Sequence, residues 1–238
     1  MMRALLLAAG RGERLRPVTD TIPKCLVPIH GRPLLQIWLD HLFETPGLIE
    51  RALINTHYLS EQVEKFVAAS KWADKIDLVY EAELLGTAGT LAANKSYFDG
   101  NTAFVAHADN LTDFNLNALV EHHMARPAGH QITMLSFETD TPETCGILEC
   151  DQNGTVLEFH EKVSNPPGNL ANAAVYVLEP EVIELAAGLP GEVKDLSIDV
   201  MPKYLGRIGS FQTDGYHRDI GSVEALARAH AEYQLKSA

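Results

Sequence analysis

The sequence predicts an α/β fold: a doubly wound, mostly parallel sheet with a small antiparallel piece in its second half. Three observations point there. Apolar runs of strand length alternate with segments of helical period through residues 1–125, a hairpin signal interrupts that rhythm at residues 151–154, and 46% of the 238 residues are hydrophobic, enough for one sizeable core.

The opening run Arg3–Ala9 is a strand and Leu34–Phe43 the first helix; a strand at Arg51–Asn55 and a helix at Leu59–Ala69 complete a βαβα unit. A strand at Ile76–Tyr80, a helix beginning near Thr87, a strand at Ala103–Ala108 and a helix at Leu116–Met124 extend it. Asp151-Gln152-Asn153-Gly154 then joins strands Gly146–Cys150 and Thr155–Phe159, because Asn-Gly supplies the left-handed backbone that tight hairpins need. A strand at Ala173–Leu178, a helix after Pro180, another around Asp195–Tyr204 and a closing amphipathic helix at Val223–Leu235 finish the chain. No linker, low-complexity tract or internal repeat divides it, so residues 1–238 read as a single domain.

Composition excludes several functions. A formal charge of −13, from 32 acidic against 19 basic residues, disfavours general attraction to DNA, RNA or anionic lipid. An anionic ligand would need a local cluster of cations, and Arg11, Arg14, Arg16 and Lys24 provide one. Cys25, Cys145 and Cys150 are too few and too irregular for a disulfide framework or a four-thiolate zinc site, which favours a reducing cytoplasm. The apolar run after Arg3 is shorter than a signal-peptide core, and no run approaches the roughly 20 residues that cross a bilayer, so no membrane partner is expected. His122 and His123 are adjacent on a helix and point apart, and no H-E-x-x-H spacing occurs, so zinc is set aside.

Ligands of such sheets settle beyond the carboxyl ends of the strands, where the strand order switches. The suspects are therefore the loop after Ala9, the segment after Tyr80, and Asp109 after the strand "FVAHA". In the first loop, Gly10-Arg11-Gly12-Glu13-Arg14-Leu15 places leucine where a dinucleotide fingerprint needs its third glycine. The strand "RALINT" carries no acidic residue at its end for a ribose, and no G-x-x-x-x-G-K-[ST] string exists. What remains is an arginine-bearing loop whose glycines let backbone N–H groups approach a polyphosphate while Arg14 and Lys24 add charge. From the glycines alone, a plain turn followed by solvated charges reads equally well.

The whole string "LAAGRGERLRPVTDTIPK" resembles the signature G-x-G-x-R-x-x-P-x-T-x-x-x-P-K of sugar-1-phosphate nucleotidylyltransferases, with Gly10, Gly12, Arg14, Pro17, Thr19, Pro23 and Lys24 in register. Five further segments follow in order. "EAELLGTAGTL" is similar to E-P-L-G-T-A-G, matching Glu83, Gly86 and Thr87, with Leu84 in place of proline. "FVAHADN" ends with Asp109 where the family carries N-G-D, and His107-Ala108 replaces Asn-Gly. "FHEKV" matches the E-K-P element through Glu161 and Lys162, with Val163 for proline, and "NAAVYVL" supplies Asn172. "DGYHRDIG" is similar to G-Y-W-x-D-I-G, with Asp219 matched and His217 for tryptophan.

The resemblance implies a Rossmann-like, glycosyltransferase-A-like sheet with an antiparallel sugar-binding insertion, residues 1–125 serving mainly the nucleotide and 126–238 mainly the sugar phosphate. It implies nucleotide contacts at Ala8, Ala9, Gly10, Gly12, Arg14, Lys24, Glu83, Gly86, Thr87 and Asp109. Sugar-phosphate contacts fall to Asn110, Gly146, Glu161, Lys162 and Asn172. Arg14, Lys24 and Lys162 would be catalytic, and Asp109 with Asp219 would bind Mg²⁺. The partners implied are a nucleoside triphosphate and a sugar 1-phosphate, and a homodimer is left open. The mannose-1-phosphate guanylyltransferase branch is most similar. Uridylyl transfer to N-acetylmuramic acid or glucose phosphates, or a non-catalytic nucleotide-sugar-binding regulator, are the alternatives.

Overall fold

Parallel strands rich in leucine, isoleucine and valine must be covered on both faces, and this chain folds its helices to do so. The computed structural model describes residues 1–234. The first half runs β1 (Met2–Leu7), a small hairpin of β2 (Pro28–Ile29) and β3 (Arg32–Pro33), α1 (Leu34–Phe43), β4 (Ile49–Thr56), α2 (Ser60–Ala68), β5 (Ile76–Tyr80) and α3 (Thr87–Ala93). It continues with β6 (Ala103–His107), β7 (Asn110–Thr112) and α4 (Leu116–Met124). The second half holds β8 (Ile132–Glu138), β9 (Gly146–Cys150), β10 (Val156–Glu161), β11 (Leu170–Leu178), α5 (Pro180–Gly188), β12 (Ile208–Gln212), β13 (His217–Asp219) and α6 (Val223–Glu232).

The parallel block is β5-β4-β1-β6, and the chain winds outward from β1 on one side before returning to place β6 on the other. That reversal puts the switch point between β1 and β6. β11 then lies antiparallel to both β6 and β8, and β12 closes the edge parallel to β8. The β9–β10 hairpin joins β11 through Ala171 opposite Ile147, so the antiparallel piece is continuous with the main sheet.

Successive side chains alternate between two cores. In β1, Ala4 and Leu6 face α1, α2 and α4, while Leu5 and Leu7 face α3, α5 and the turns around Leu196–Tyr204. A third cluster joins Leu15, Val27 and Leu34 near the chain's start to Ile220, Ala229 and Tyr233 near its end. It seats the arginine-bearing loop against β13 and α6.

Several elements depart from the sequence expectation, the short strands β2, β3, β7 and β13 among them. β8 and β12 were not foreseen: buried Thr133 and Ser136 blur the apolar pattern of one, and Gly209-Ser210 breaks that of the other. The helix expected around Asp195–Tyr204 is a π turn at Leu196–Val200 followed by a 3₁₀ turn at Met201–Tyr204, with Pro202 denying the α-helical ladder a donor. The closing helix ends at Glu232, and Leu235 lies outside the described residues.

Candidate active site

The glycine loop leaves β1 at the switch point. Gly12 sits at φ 63°, ψ 34°, and a Cβ there would come within 2.9 Å of Thr19 Cγ2 and 3.2 Å of Lys24 Cβ. Only glycine fits without strain. Thr19 Oγ1 donates to the Gly12 carbonyl at 2.7 Å, folding the loop back so that Lys24 points into the site.

Asp109 stands two residues past the end of β6, and β7 pairs antiparallel with β13 so that Asn110 lies opposite Asp219. This short ladder brings two sequence-distant carboxylates together on one cation. Lys24 Nζ donates to Asp109 Oδ2 at 2.7 Å and to Asp219 Oδ1 at 2.8 Å, and Arg14 Nη2 stands 3.5 Å from Asp219 Oδ2. Burial alone would lower the Lys24 pKa, but attraction and hydrogen bonds from Asp109 and Asp219 outweigh it and hold the ammonium charged. Burial pushes Asp109 up, while Lys24, His107 and a hydrogen bond pull it further down, so it stays ionised. The neighbouring Cys25 thiol is buried and pushed up to about 12, chemically quiet.

A cavity of about 1160 Å³ opens here and gathers Arg14, Lys24, Asp109, Asn110 and Asp219 with Gly146, Glu161, Lys162 and Asn172 from the second half. Glu161 ends β10 and Lys162 follows it, their charges 3.4 Å apart, with the lysine 66% exposed. Two expected sugar contacts are already engaged within the protein: Asn110 Nδ2 donates to the Ala173 carbonyl, and Asn172 bridges the Tyr176 hydroxyl and the Ala174 N–H across a bulge in β11. His217 packs its ring on Phe137 with centroids 4.1 Å apart. Burial, then Arg218 and His107, lower its pKa to about 3, so it lines the cavity uncharged.

Ala8, Ala9, Gly10, Gly12, Glu83, Gly86 and Thr87 lie outside that cavity, on the loops after β1 and β5. Gly86 has φ 74°, ψ 169°, and a Cβ would collide with the Lys194 carbonyl. Thr87 donates to Asp195 Oδ2 and accepts from the Leu196 N–H, tying this loop to the π turn. Glu83 is exposed. Sequence reasoning missed Asn55, His57 and Glu81, although all three stand at or just past the carboxyl ends of β4 and β5. That position was the available signal.

The sequence profile of the nucleotidyl transferase family matches residues 3–236. The chain belongs to this family. Among curated relatives, the chain is 33% identical over 227 residues to the mannose-1-phosphate guanylyltransferase catalytic subunit beta of Drosophila pseudoobscura pseudoobscura, covering 92% of this chain and 59% of the relative. It is 31% identical over 216 residues to a UTP–glucose-1-phosphate uridylyltransferase of Synechocystis, covering 85% and 55%. The chain thus spans a little over half the length of those two relatives. A solved structure of HddC from Yersinia pseudotuberculosis complexed with GMP-PN superposes with a TM-score of 0.80 at 24% identity, covering 98% of this chain and all of the other. That likeness concerns the fold. Among the described residues, no helix is long and apolar enough to cross a membrane.

Proposed function

We propose that this chain transfers a nucleotidyl group to a sugar 1-phosphate, giving a nucleotide sugar and pyrophosphate. The observation that carries this reading is the convergence of Asp109 and Asp219 on Lys24, in a cavity that also holds Glu161 and Lys162. An oxygen of the sugar phosphate attacks the α-phosphorus, and the bond from α-phosphorus to the bridging oxygen breaks with its electron pair leaving on pyrophosphate. The nucleophile is already an anion, so no base is needed. What must be overcome is repulsion between two polyanions, a task for fixed cations and alignment.

Two carboxylates facing one cation, with no thiolate among them, form the hard-oxygen set that suits Mg²⁺. The fit is good, and Asp109 with Asp219 would hold it. When bound, that ion neutralises phosphate charge. Arg14 and Lys24 hold the triphosphate and the departing pyrophosphate, Lys162 steers the attacking phosphate, and Glu161 accepts from sugar hydroxyls. The loops carrying Ala8 to Gly12 and Glu83 to Thr87 hold the nucleotide.

We take GTP as donor and mannose 1-phosphate, or a related hexose or heptose phosphate, as acceptor. The guanylyltransferase relative at 33% identity supports this, and the uridylyltransferase relative at 31% defines the competing outcome. Pyrophosphate release from each of the four nucleoside triphosphates against a panel of sugar phosphates, with Mg²⁺, tests both levels. Turnover with GTP and mannose 1-phosphate is expected. UTP as best donor would overturn the base, and no turnover with any pair would overturn the activity.

A further inference from the structure

Between the two loops assigned to the nucleotide lies a buried carboxyl group that the proposed chemistry leaves unused. Glu81 is 5% exposed, and among the described residues no cationic side chain pairs with it. Such a group persists only when hydrogen bonds replace its lost water. Glu81 Oε1 accepts from Asn55 Nδ2 at 3.0 Å and from the Thr90 hydroxyl at 2.6 Å, and Oε2 accepts from the Leu85 N–H at 3.3 Å. The last two partners belong to the "LLGTAGT" segment, so this carboxyl group sets the shape of the loop after β5.

The same residue reaches the other loop by two routes. Asn55, with its Nδ2 donating to Glu81, uses its Oδ1 to accept from the Ala8 N–H at 2.7 Å, where the glycine loop leaves β1. The Glu81 carbonyl accepts from His57 Nδ1 at 2.8 Å, which fixes the tautomer and leaves Nε2 as an acceptor 3.4 Å from Arg11 Nη2. One residue at the end of β5 is therefore bonded, through one intermediary each, to the backbone and to a cationic side chain of the glycine loop.

We infer that Glu81 is a positioning residue that couples the triphosphate loop to the base-and-ribose loop, with Asn55 and His57 as its links. The inference rests on the proposed nucleotide site and adds to it a requirement that the two loops be set together. A side chain that only shaped its own loop would influence the nucleoside end of the ligand. A coupling residue also influences the phosphate end, which it never touches.

The discriminating probe is tripolyphosphate, which has no base or ribose. Its affinity, and that of GTP and UTP, is to be measured by calorimetry with Mg²⁺ for the wild-type chain, Glu81→Ala and Glu81→Gln, with melting curves alongside. Glu81→Ala should weaken the better-bound nucleotide by about tenfold and tripolyphosphate by about threefold or more, since misplacement away from the chemistry propagates through such contacts. Glu81→Gln keeps an acceptor for Asn55 and Thr90 and should recover most of both losses; should the alanine variant not fold, the glutamine variant is expected to show both losses in smaller degree. Steady-state kinetics should show a raised KM for the nucleotide and an unchanged KM for the sugar phosphate. Tripolyphosphate affinity equal to wild type in a folded Glu81 variant with weakened nucleotide binding would overturn the coupling and leave the activity standing. A wild-type chain that binds neither nucleotide would overturn the activity and the coupling together.

Discussion

On the nucleotide side of the cavity Lys24 is 7% exposed and held by two carboxylates at 2.7 and 2.8 Å, whereas Lys162, in the same cavity wall, is 66% exposed and pairs with its neighbour Glu161 at 3.4 Å. The first cation is fixed before any ligand arrives. The second must be ordered by its ligand. The difference follows from the strands beneath: the glycine loop and the loop after β5 spring from a parallel block braced by buried Asn55, Glu81 and Thr90, while Glu161 and Lys162 lie at the end of a hairpin that pairs with β11 only at Ala171 and meets β12 only through a bridge at Thr155–Gly209 and neighbouring bonds. Charges fixed in advance cost no reorganisation at the moment of reaction. Under the proposed function, triphosphate chemistry rests on the rigid half and acceptor choice on the looser one.

The largest expected effect tests the rigid side. Asp109→Ala should lower turnover by about 10²- to 10³-fold, the scale of losing a group that fixes transition-state charge. Pyrophosphate release measures it, and near-normal turnover would remove Asp109 from the site. The looser side should respond differently. Lys162→Ala is expected to raise the KM for the sugar phosphate by about tenfold, the worth of a charge-assisted hydrogen bond, with the nucleotide KM unchanged. An equal rise in both would mean that the two sides are not separable.

Gly86→Ala examines the brace itself. Its φ of 74° and the Lys194 carbonyl at its back leave no room for a Cβ, so the variant should lose about 1–3 kcal/mol from the dihedral alone, read as a lower melting temperature. A stable variant would show that this loop can move. The smallest effect concerns the support under β8. Buried His123 bonds Thr133 and Glu179, and burial lowers its pKa from the ordinary 6.5 despite the nearby carboxylate. The unfolded chain then takes up a proton that the folded one resists, so the stability this gives is present above about pH 6.5 and declines as pH falls below it. Glu179, whose pKa is also lowered, loses its contribution at still lower pH. His123→Gln should flatten the fall in melting temperature between pH 6.5 and 5, and an unaltered slope would exonerate His123.

Much of the site was legible because its chemistry depends on residue types at fixed spacing. Gly12, Arg14 and Lys24 stand in one short loop, and Asp109 sits at a strand end, where ligands of such sheets collect. Asn110 and Asn172 entered only through the family resemblance, and the structure turns both amides toward backbone or tyrosine partners within the protein. Side-chain direction is settled by packing, and no spacing rule encodes it. Glu81 and Asn55 went unread for a similar reason: a lone glutamate or asparagine in a sequence looks like surface until the neighbouring strand covers it.

By itself the sequence determined the alternation of strands and helices, the need for two helical layers, and the left-handed turns that only glycine tolerates, because these depend on local backbone sterics and on hydrophobic period. Tertiary structure alone decided that β7 and β13 pair, that Asp109 and Asp219 therefore meet on Lys24, and that one buried glutamate ties two loops together. Those are contacts between distant segments, and their energy exists only once the intervening chain has folded and water has been excluded from between them.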